Sequence, residues 1–232
     1  MNLLIDSGNS MIKWALANGD LLYRVNKCES NSVAGLHDIW NRYDVPDRII
    51  IANVAGENIA KQINITVNKL WHIAAEFIVS SRNCCGLTSS YHNPGQLGVD
   101  RWMAMAAAFQ STLDPVIVVD CGTAVTIDLV NEDGVFVGGV ILPGLNTAYQ
   151  SLRTGTKAVE GINSISIKKD ISPVAKSTED GVAIGVLLGL VGGIERVIRE
   201  QSSQIDKSPA VYLTGGDAVQ LLPYLTIPAI IQ

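Results

Sequence analysis

Two short segments of this sequence, Asp6-Ser7-Gly8-Asn9 and Asp120-Cys121-Gly122-Thr123, share the form D-x-G-[N/T]. In each, an apolar run ends in an aspartate and the chain then turns through glycine. That combination suits phosphate chemistry. Glycine lets the backbone approach an anion, the N–H groups of the turn point at phosphate oxygens, and the carboxylate holds a hydrated divalent cation. One such segment is a weak signal, because Asp and Gly populate turns generally. Two copies at equivalent places are harder to obtain by accident. Lys13 follows the first turn and reads either as a point charge for phosphate or as a solvated strand residue, since alternation from Ile12 leaves its facing undecided. A third carboxylate, Asp100, falls at a predicted helix start, where the macrodipole favours the ionised form that a general base needs. Beside it Arg101 offers a planar fork suited to a carboxylate. The competing reading of this pair is an N-terminal helix acid next to an exposed arginine.

These residues need strands and helices to hold them, and the chain supplies the same series twice. Leu3 to Asp6, Ile12 to Ala17 and Leu21 to Val25 read as an antiparallel meander, the last two joined through Asn18-Gly19-Asp20. Ser32 to Tyr43 has helical spacing, Arg48 to Asn53 reads as a buried strand and Glu57 to Leu70 as a helix. Ser80 to Gln96, rich in Ser, Asn, Gly and Pro, predicts a loop feeding a helix from Gly98 to Gln110. The pattern then restarts with strands at Val116 to Asp120, Val125 to Val130 and Gly134 to Leu142. A helix from Gly144 to Arg153, a polar loop to Lys176, a long helix from Thr178 to Gln201 and a strand from Val211 to Thr214 follow, and Gly215-Gly216-Asp217 opens a last helix. An internal repeat of this kind predicts two domains of similar fold, 1–112 and 113–232. The end at Ile230-Ile231-Gln232 looks short for a closing strand.

Composition removes other classes of function. Of 232 residues, 47% are hydrophobic and 17% charged, a mix that fills a core. The net charge of −5 with scattered Lys and Arg gives no footprint for a nucleic-acid backbone. Glu195 and Arg196 interrupt the Gly-rich apolar run Val182 to Ile194, so no membrane span is predicted, and without a secretory leader the expected location is the cytoplasm. That run reads as a buried or subunit-contacting helix. Cys28, Cys84, Cys85 and Cys121 lack metal-ligand spacing and read as reduced thiols, the adjacent pair as small residues of a surface loop with redox activity as the alternative. Trp14, Trp40, Trp71 and Trp102 read as core.

The run P-x-x-L-G-x-D-R-W ending at Trp102 combines with Asp6-x-Gly8-Asn9-Ser10-x-x-Lys13 and Asp120-Cys-Gly122-Thr123-Ala-Val-Thr126. Gly138-Gly139-x-Ile141-x-Pro143-Gly144 and Ser177-Thr178-x-x-Gly181 complete the set. In this order they resemble the motifs of type III pantothenate kinases, within the actin/hexokinase/acetate-kinase superfamily. The one departure in the first hairpin is Ser10, where the family usually has Thr. The resemblance implies an α/β fold of two ribonuclease H-like (actin-like ATPase) domains, each a mixed sheet that opens with an antiparallel three-strand meander and is flanked by helices. It also implies ATP-dependent phosphorylation of the primary hydroxyl of pantothenate, the first step of coenzyme A biosynthesis. On the matching positions, Asp6, Ser7, Gly8, Asn9, Ser10, Met11, Ile12, Lys13 and Thr123 would bind ATP. Asp6 would face magnesium directly or through water, and Asp120 would hold a monovalent cation, potassium or ammonium. Tyr91, Gly98, Val99, Asp100, Arg101 and Thr178 would bind pantothenate, with Asp100 as proton acceptor and the pocket shared across a homodimer. Gly215 and Gly216 would lie against adenosine or serve only as a strand-to-helix turn. Two alternatives stay open: a related kinase for a small acid or sugar, and a non-catalytic regulator that binds nucleotide or pantothenate on the same fold.

Overall fold

The computed structural model describes residues 1–156 and 171–232. Of the polar loop expected up to Lys176, positions 157–170 lie outside the described residues. The chain divides into two compact units, one of residues 1–81 and 93–103, the other of 82–92 and 104–232.

In the first unit, β1 (Asn2–Ser7), β2 (Met11–Asn18) and β3 (Leu21–Glu29) form the expected meander, and β4 (Arg48–Asn53) and β5 (Glu76–Ile78) extend it in parallel. The strand order is β3-β2-β1-β4-β5. Alternation decides the faces. Leu3, Ile5, Ile12, Trp14, Leu16, Ile49 and Ile51 turn into a core with Leu36 and Trp40 of α1 (Leu36–Trp40) and Ile63 and Val67 of α2 (Glu57–Trp71). Trp14 and Trp40 meet edge to face with ring centroids 5.8 Å apart, and Trp14 Nε1 donates to Tyr43 Oη at 3.1 Å. The helix expected from Ser32 to Tyr43 is shorter than its apolar spacing suggested. Ser30–Gly35 is a 3-10 turn and only Leu36–Trp40 is α-helical, because Asn31, Ser32 and Gly35 are weak helix formers. Strand β5, which follows α2, has three residues and gives no periodic signal.

The second unit repeats this topology. Here β8 (Val116–Cys121), β9 (Ala124–Val130) and β10 (Val135–Pro143) form the meander, and β11 (Ala210–Thr214) and β12 (Ile230–Ile231) add in parallel beside β8. The expected loop at Ser80 to Gln96 contains a small hairpin, β6 (Asn83–Cys84) and β7 (Leu87–Ser89), which joins this sheet through β10 and gives the order β12-β11-β8-β9-β10-β7-β6. Helix α3 (Val99–Thr112) starts in the first unit and ends in the second. Ile117, Val119, Cys121, Val125, Ile127 and Leu129 pack on Leu145 of α4 (Leu145–Gly155) and on Val186, Leu187, Leu190 and Ile194 of α5 (Thr178–Ser202). Among the described residues α5 is the one helix long and apolar enough, by length and composition, to cross a membrane, although Glu195 and Arg196 interrupt its apolar run. Those core contacts account for one apolar side of it.

The C-terminus also corrects the sequence reading, because Ile230–Ile231 pairs with Tyr212 and Leu213 as a closing edge strand. The segment leading to it, after the short α6 (Ala218–Leu221), is fastened to α5. Buried Glu195 Oε1 accepts from Thr226 N at 2.6 Å and from Thr226 Oγ1 at 2.7 Å. These bonds hold the Glu195 carboxyl below its ordinary value. A carboxyl depressed on folding stabilises the fold above its unfolded value, and that contribution is lost as pH falls through the folded one. Glu195→Ala is therefore expected to lower the unfolding free energy at neutral pH by about 1–3 kcal/mol, with the gap to the parent closing in acid. Urea unfolding across pH checks this, and a gap that persists undiminished in acid contradicts it.

Candidate active site

Asp6 is the sixth residue of the chain and the penultimate residue of β1. Its neighbours Ile5 and Ser7 are buried, so Asp6 points to the face of the sheet opposite α1 and α2. The β1–β2 register sets Lys13 directly across from it, and Lys13 Nζ lies 3.5 Å from Asp6 Oδ2. The facing of Lys13 is thus settled, toward the acid. An open apolar concavity of about 330 Å³ runs along this face past Leu4, Ala15, Ile50 and Met103, with Asp6 and Lys13 as its charged lining. Burial pushes the Asp6 carboxyl above its ordinary value, the Lys13 ammonium opposes that rise, and the Asp100 carboxylate adds to it. Asp100 therefore sits within electrostatic reach of Asp6.

The turn that carries Gly8, Asn9 and Ser10 is braced from below. Gly8 N donates to Met11 O at 3.0 Å, Ser30 Oγ donates to Gly8 O at 2.7 Å, and Ser30 N donates to Ser10 O at 3.0 Å. The exposed Asn9 and Ser10 stand at its tip, and Met11 and Ile12 lead back into the sheet.

Asp100 lies in the first turn of α3, whose first residue is the buried Val99. Its Oδ1 accepts from Arg101 N at 2.8 Å. The carboxylate lies back over Gly98, where a Cβ would come within 2.5 Å of Oδ1, so the glycine of the L-G-x-D-R run makes room for the acid. Arg101 is 7% exposed, which excludes the reading of an exposed arginine beside a helix acid.

In the second unit, Asp120 takes the equivalent place near the end of β8, on the face opposite the α5 core. The residue across from it is Thr126, which stands where Lys13 stands in the first hairpin. Thr126 Oγ1 is buried and has no hydrogen-bond partner among the described residues. A carboxylate and a hydroxyl at one ladder position are oxygen donors of the kind a hard cation could use. Gly215, at φ +93° after β11, leaves room for this corner, because a side chain there would strike Asp120 Oδ1 and Cys121 O. Asp217 N donates to Cys121 O at 2.9 Å, and burial raises the Asp217 carboxyl. Burial and the flanking Asp120 and Asp217 push the Cys121 thiol to about 12. The Gly122–Thr123 turn is tied to the start of α4, where Gly144 N and Thr147 Oγ1 both donate to Thr123 O, at 3.0 and 2.5 Å.

Tyr91 follows β7 and sets its ring against Phe136, centroids 5.1 Å apart. Arg82 fixes that segment by donating from Nη1 to Ser89 O at 2.7 Å and from Nη2 to His92 O at 3.4 Å. Thr178 is exposed as the first residue of α5, and Ser177 caps the helix by accepting from Asp180 N at 3.1 Å.

Within the first unit, then, Lys13 pairs with Asp6 and Asp100 lies within electrostatic reach of it, and within the second Thr126 lies across from Asp120 with Gly215 against it. Ser30 and Arg82 were not singled out from the sequence, and Thr126 and Asp217 stood in quoted motifs without a role of their own. Only Thr126 carried a usable signal, its place opposite the aspartate in the second hairpin.

A Campylobacter jejuni structure described as a Baf family transcriptional activator matches 99% of this chain and 90% of its own at TM-score 0.61 and 23% identity. The activator of the 2-hydroxyisocaproyl-CoA dehydratase from Clostridium difficile, solved with ADPNP bound, matches 100% of this chain and 88% of its own at TM-score 0.54 and 12% identity. These likenesses carry the fold, that of the actin-like ATPases and sugar kinases. In sequence, a type III pantothenate kinase of Nitrosococcus oceani is 33% identical over 97% of this chain and 86% of its own length. The family model for type III pantothenate kinase matches residues 2–200, and the chain belongs to that family.

Proposed function

We propose that this protein transfers the terminal phosphoryl group of ATP to the primary hydroxyl of pantothenate, the opening step of coenzyme A synthesis, in the cytoplasm. The observation that carries the reading is the Asp6–Lys13 pair with Asp100 within electrostatic reach, on a chain of the type III family. Asp6 would hold magnesium, directly or through water, and Asp120 with Thr126 a potassium or ammonium ion; bound there, the cations offset phosphate charge.

Phosphoryl transfer has a loose transition state, so most of the work is alignment and charge compensation. Ser7 to Ile12 form and support the turn offered to phosphate, and Lys13 adds a positive charge from the adjacent strand; the family motif assigns Thr123 to phosphate as well. Asp100 Oδ1 is steadied by Arg101 N–H, which leaves Oδ2 to accept the hydroxyl proton late in the transfer. The Arg101 guanidinium binds the pantothenate carboxylate, and Gly98 and Val99 line its pocket; the family motif assigns Tyr91 to pantothenate as well. Thr178, exposed at a helix start, completes that pocket across a homodimer. The chain is read as two actin-like ATPase subdomains, 1–112 and 113–232.

A coupled assay of ADP release tests the reading. Release should require pantothenate, magnesium and a monovalent cation together. Release driven instead by a sugar or acetate, with pantothenate inert, would overturn it.

Three variants probe the assigned roles. Asp100→Asn should bind pantothenate nearly as the parent does and lose about 10²-fold or more in kcat. Weakened binding with intact kcat speaks against Asp100 as the base. Thr126→Val should raise the potassium concentration needed for half-maximal activity and leave the KM for pantothenate unchanged, whereas an unmoved potassium dependence removes Thr126 from the cation site. Asp6 must be ionised to hold magnesium, and its carboxyl is raised, so the acid limb of kcat/KM for ATP should fall above the ordinary carboxylate range. Lys13 opposes that rise, so Lys13→Met should move the limb to still higher pH. A pH–rate profile measures it, and a limb that stays put or moves down contradicts the assignment.

A further inference from the structure

At the tip of the β6–β7 hairpin, Asn83 pairs with Thr88 and Cys84 with Leu87, so Cys85 and Gly86 form a two-residue loop. Both have positive φ, +53° and +78°. This is the pattern of a type I′ turn, where Asn-Gly or Asp-Gly is the favoured pair. A cysteine thus occupies a left-handed position that few non-glycine residues adopt. The conformation has a chemical result. Adjacent strand residues point to opposite faces, but the left-handed turn at Cys85 carries both sulfurs to one side, with Cys84 Sγ and Cys85 Sγ 3.1 Å apart. Cys85 is exposed and Cys84 half-buried. Gln110 Nε2 holds the turn by donating to Cys85 O at 2.9 Å.

The other thiols lie in different surroundings. Cys121 is buried and Cys28 is half-buried, and burial raises both thiols, which disfavours their thiolates. The Cys84 thiol is also raised, chiefly through its hydrogen bond with Cys85, so Cys84 keeps its proton while Cys85 presents its sulfur to solvent.

We propose that Cys84 and Cys85 form a vicinal dithiol site that exchanges with small-molecule disulfides and closes to a reversible intramolecular disulfide. The Cys85 thiolate attacks one sulfur of the small disulfide, forming a mixed disulfide and expelling one small thiolate. The Cys84 sulfur, on losing its proton, attacks Cys85 Sγ and expels the second. The protein dithiol is oxidised by two electrons, the small disulfide is reduced to two thiols, and those thiols take up the two protons. The closed form is labile for a geometric reason. Consecutive Cα atoms are about 3.80 Å apart across a trans peptide, below the usual disulfide span of about 4.4–6.8 Å. From this turn the chain runs through Ser89 and Ser90 into Tyr91, which places the redox change on the segment that carries Tyr91.

Oxidised glutathione is the probe, read by intact mass and peptide mapping of the full-length protein, so the result is independent of the kinase assignment. The parent should become two hydrogens lighter, retain no glutathione, show Cys84 and Cys85 joined, and revert with dithiothreitol. Cys84→Ser, lacking the resolving thiol, should retain one glutathione on Cys85. A parent that keeps glutathione on Cys85 as the variant does, that reacts first at Cys28, that links two chains, or that does not react at all overturns the proposal.

Discussion

Asp6, partly withdrawn from water on a face of the first sheet, feels the like charge of Asp100 at the start of α3, and Lys13 offsets only part of the resulting penalty. The arrangement is unfavourable for the empty protein. Burial disfavours the charged acid and the second acid adds to it. A divalent cation bound with its phosphates would offset that cost, in keeping with the proposed function.

Holding such a group in place requires a rigid support, and the alternation of β1 and β2 supplies it. Every residue that turns toward the core, from Leu3 and Ile5 to Ile12 and Trp14, is buried against α1 and α2, so a one-residue slip would move Asp6 into the core and Ile5 into the open. Register is thereby fixed by hydrophobic burial, and with it the opposition of Asp6 and Lys13. The second unit repeats the device with a turn one residue shorter, where Ile117, Val119 and Cys121 anchor β8 and Thr126 replaces Lys13 as the partner of the acid. The first hairpin thus sets a positive charge opposite its acid, and the second sets a hydroxyl there instead.

The strands that carry these acids were legible because burial on both faces writes itself as an unbroken apolar run in Val116 to Val119, and the core-facing positions of β1 and β2 write themselves as alternation. The long helices α2, α3 and α5 were legible for the same reason, within a residue or two. What escaped was set by pairing rather than by periodicity. Strands β5, β6, β7 and β12 have two or three residues each, too few for a pattern, and exist because a neighbouring edge accepts them. Lys13 could be placed on a strand but not on a face, since the register that decides it depends on the turn. Arg101 is polar in sequence and buried in the fold. Thr126 lay inside a segment already recognised, yet its role follows only from the residue across the ladder. The family resemblance supplied the roles assigned to Tyr91 and Thr178, which no local pattern indicated.

The central claim is that Asp100 and Asp6 form one electrostatic unit, and carboxyl-carbon NMR titration of Asp6 tests it most directly. The Asp6 carboxyl should titrate above the ordinary carboxylate value and move down when Asp100 is changed to Asn, because a like charge that raised it is gone. An Asp6 that titrates at or below the ordinary value, and is unmoved by the loss of the Asp100 charge, would contradict the account at its foundation.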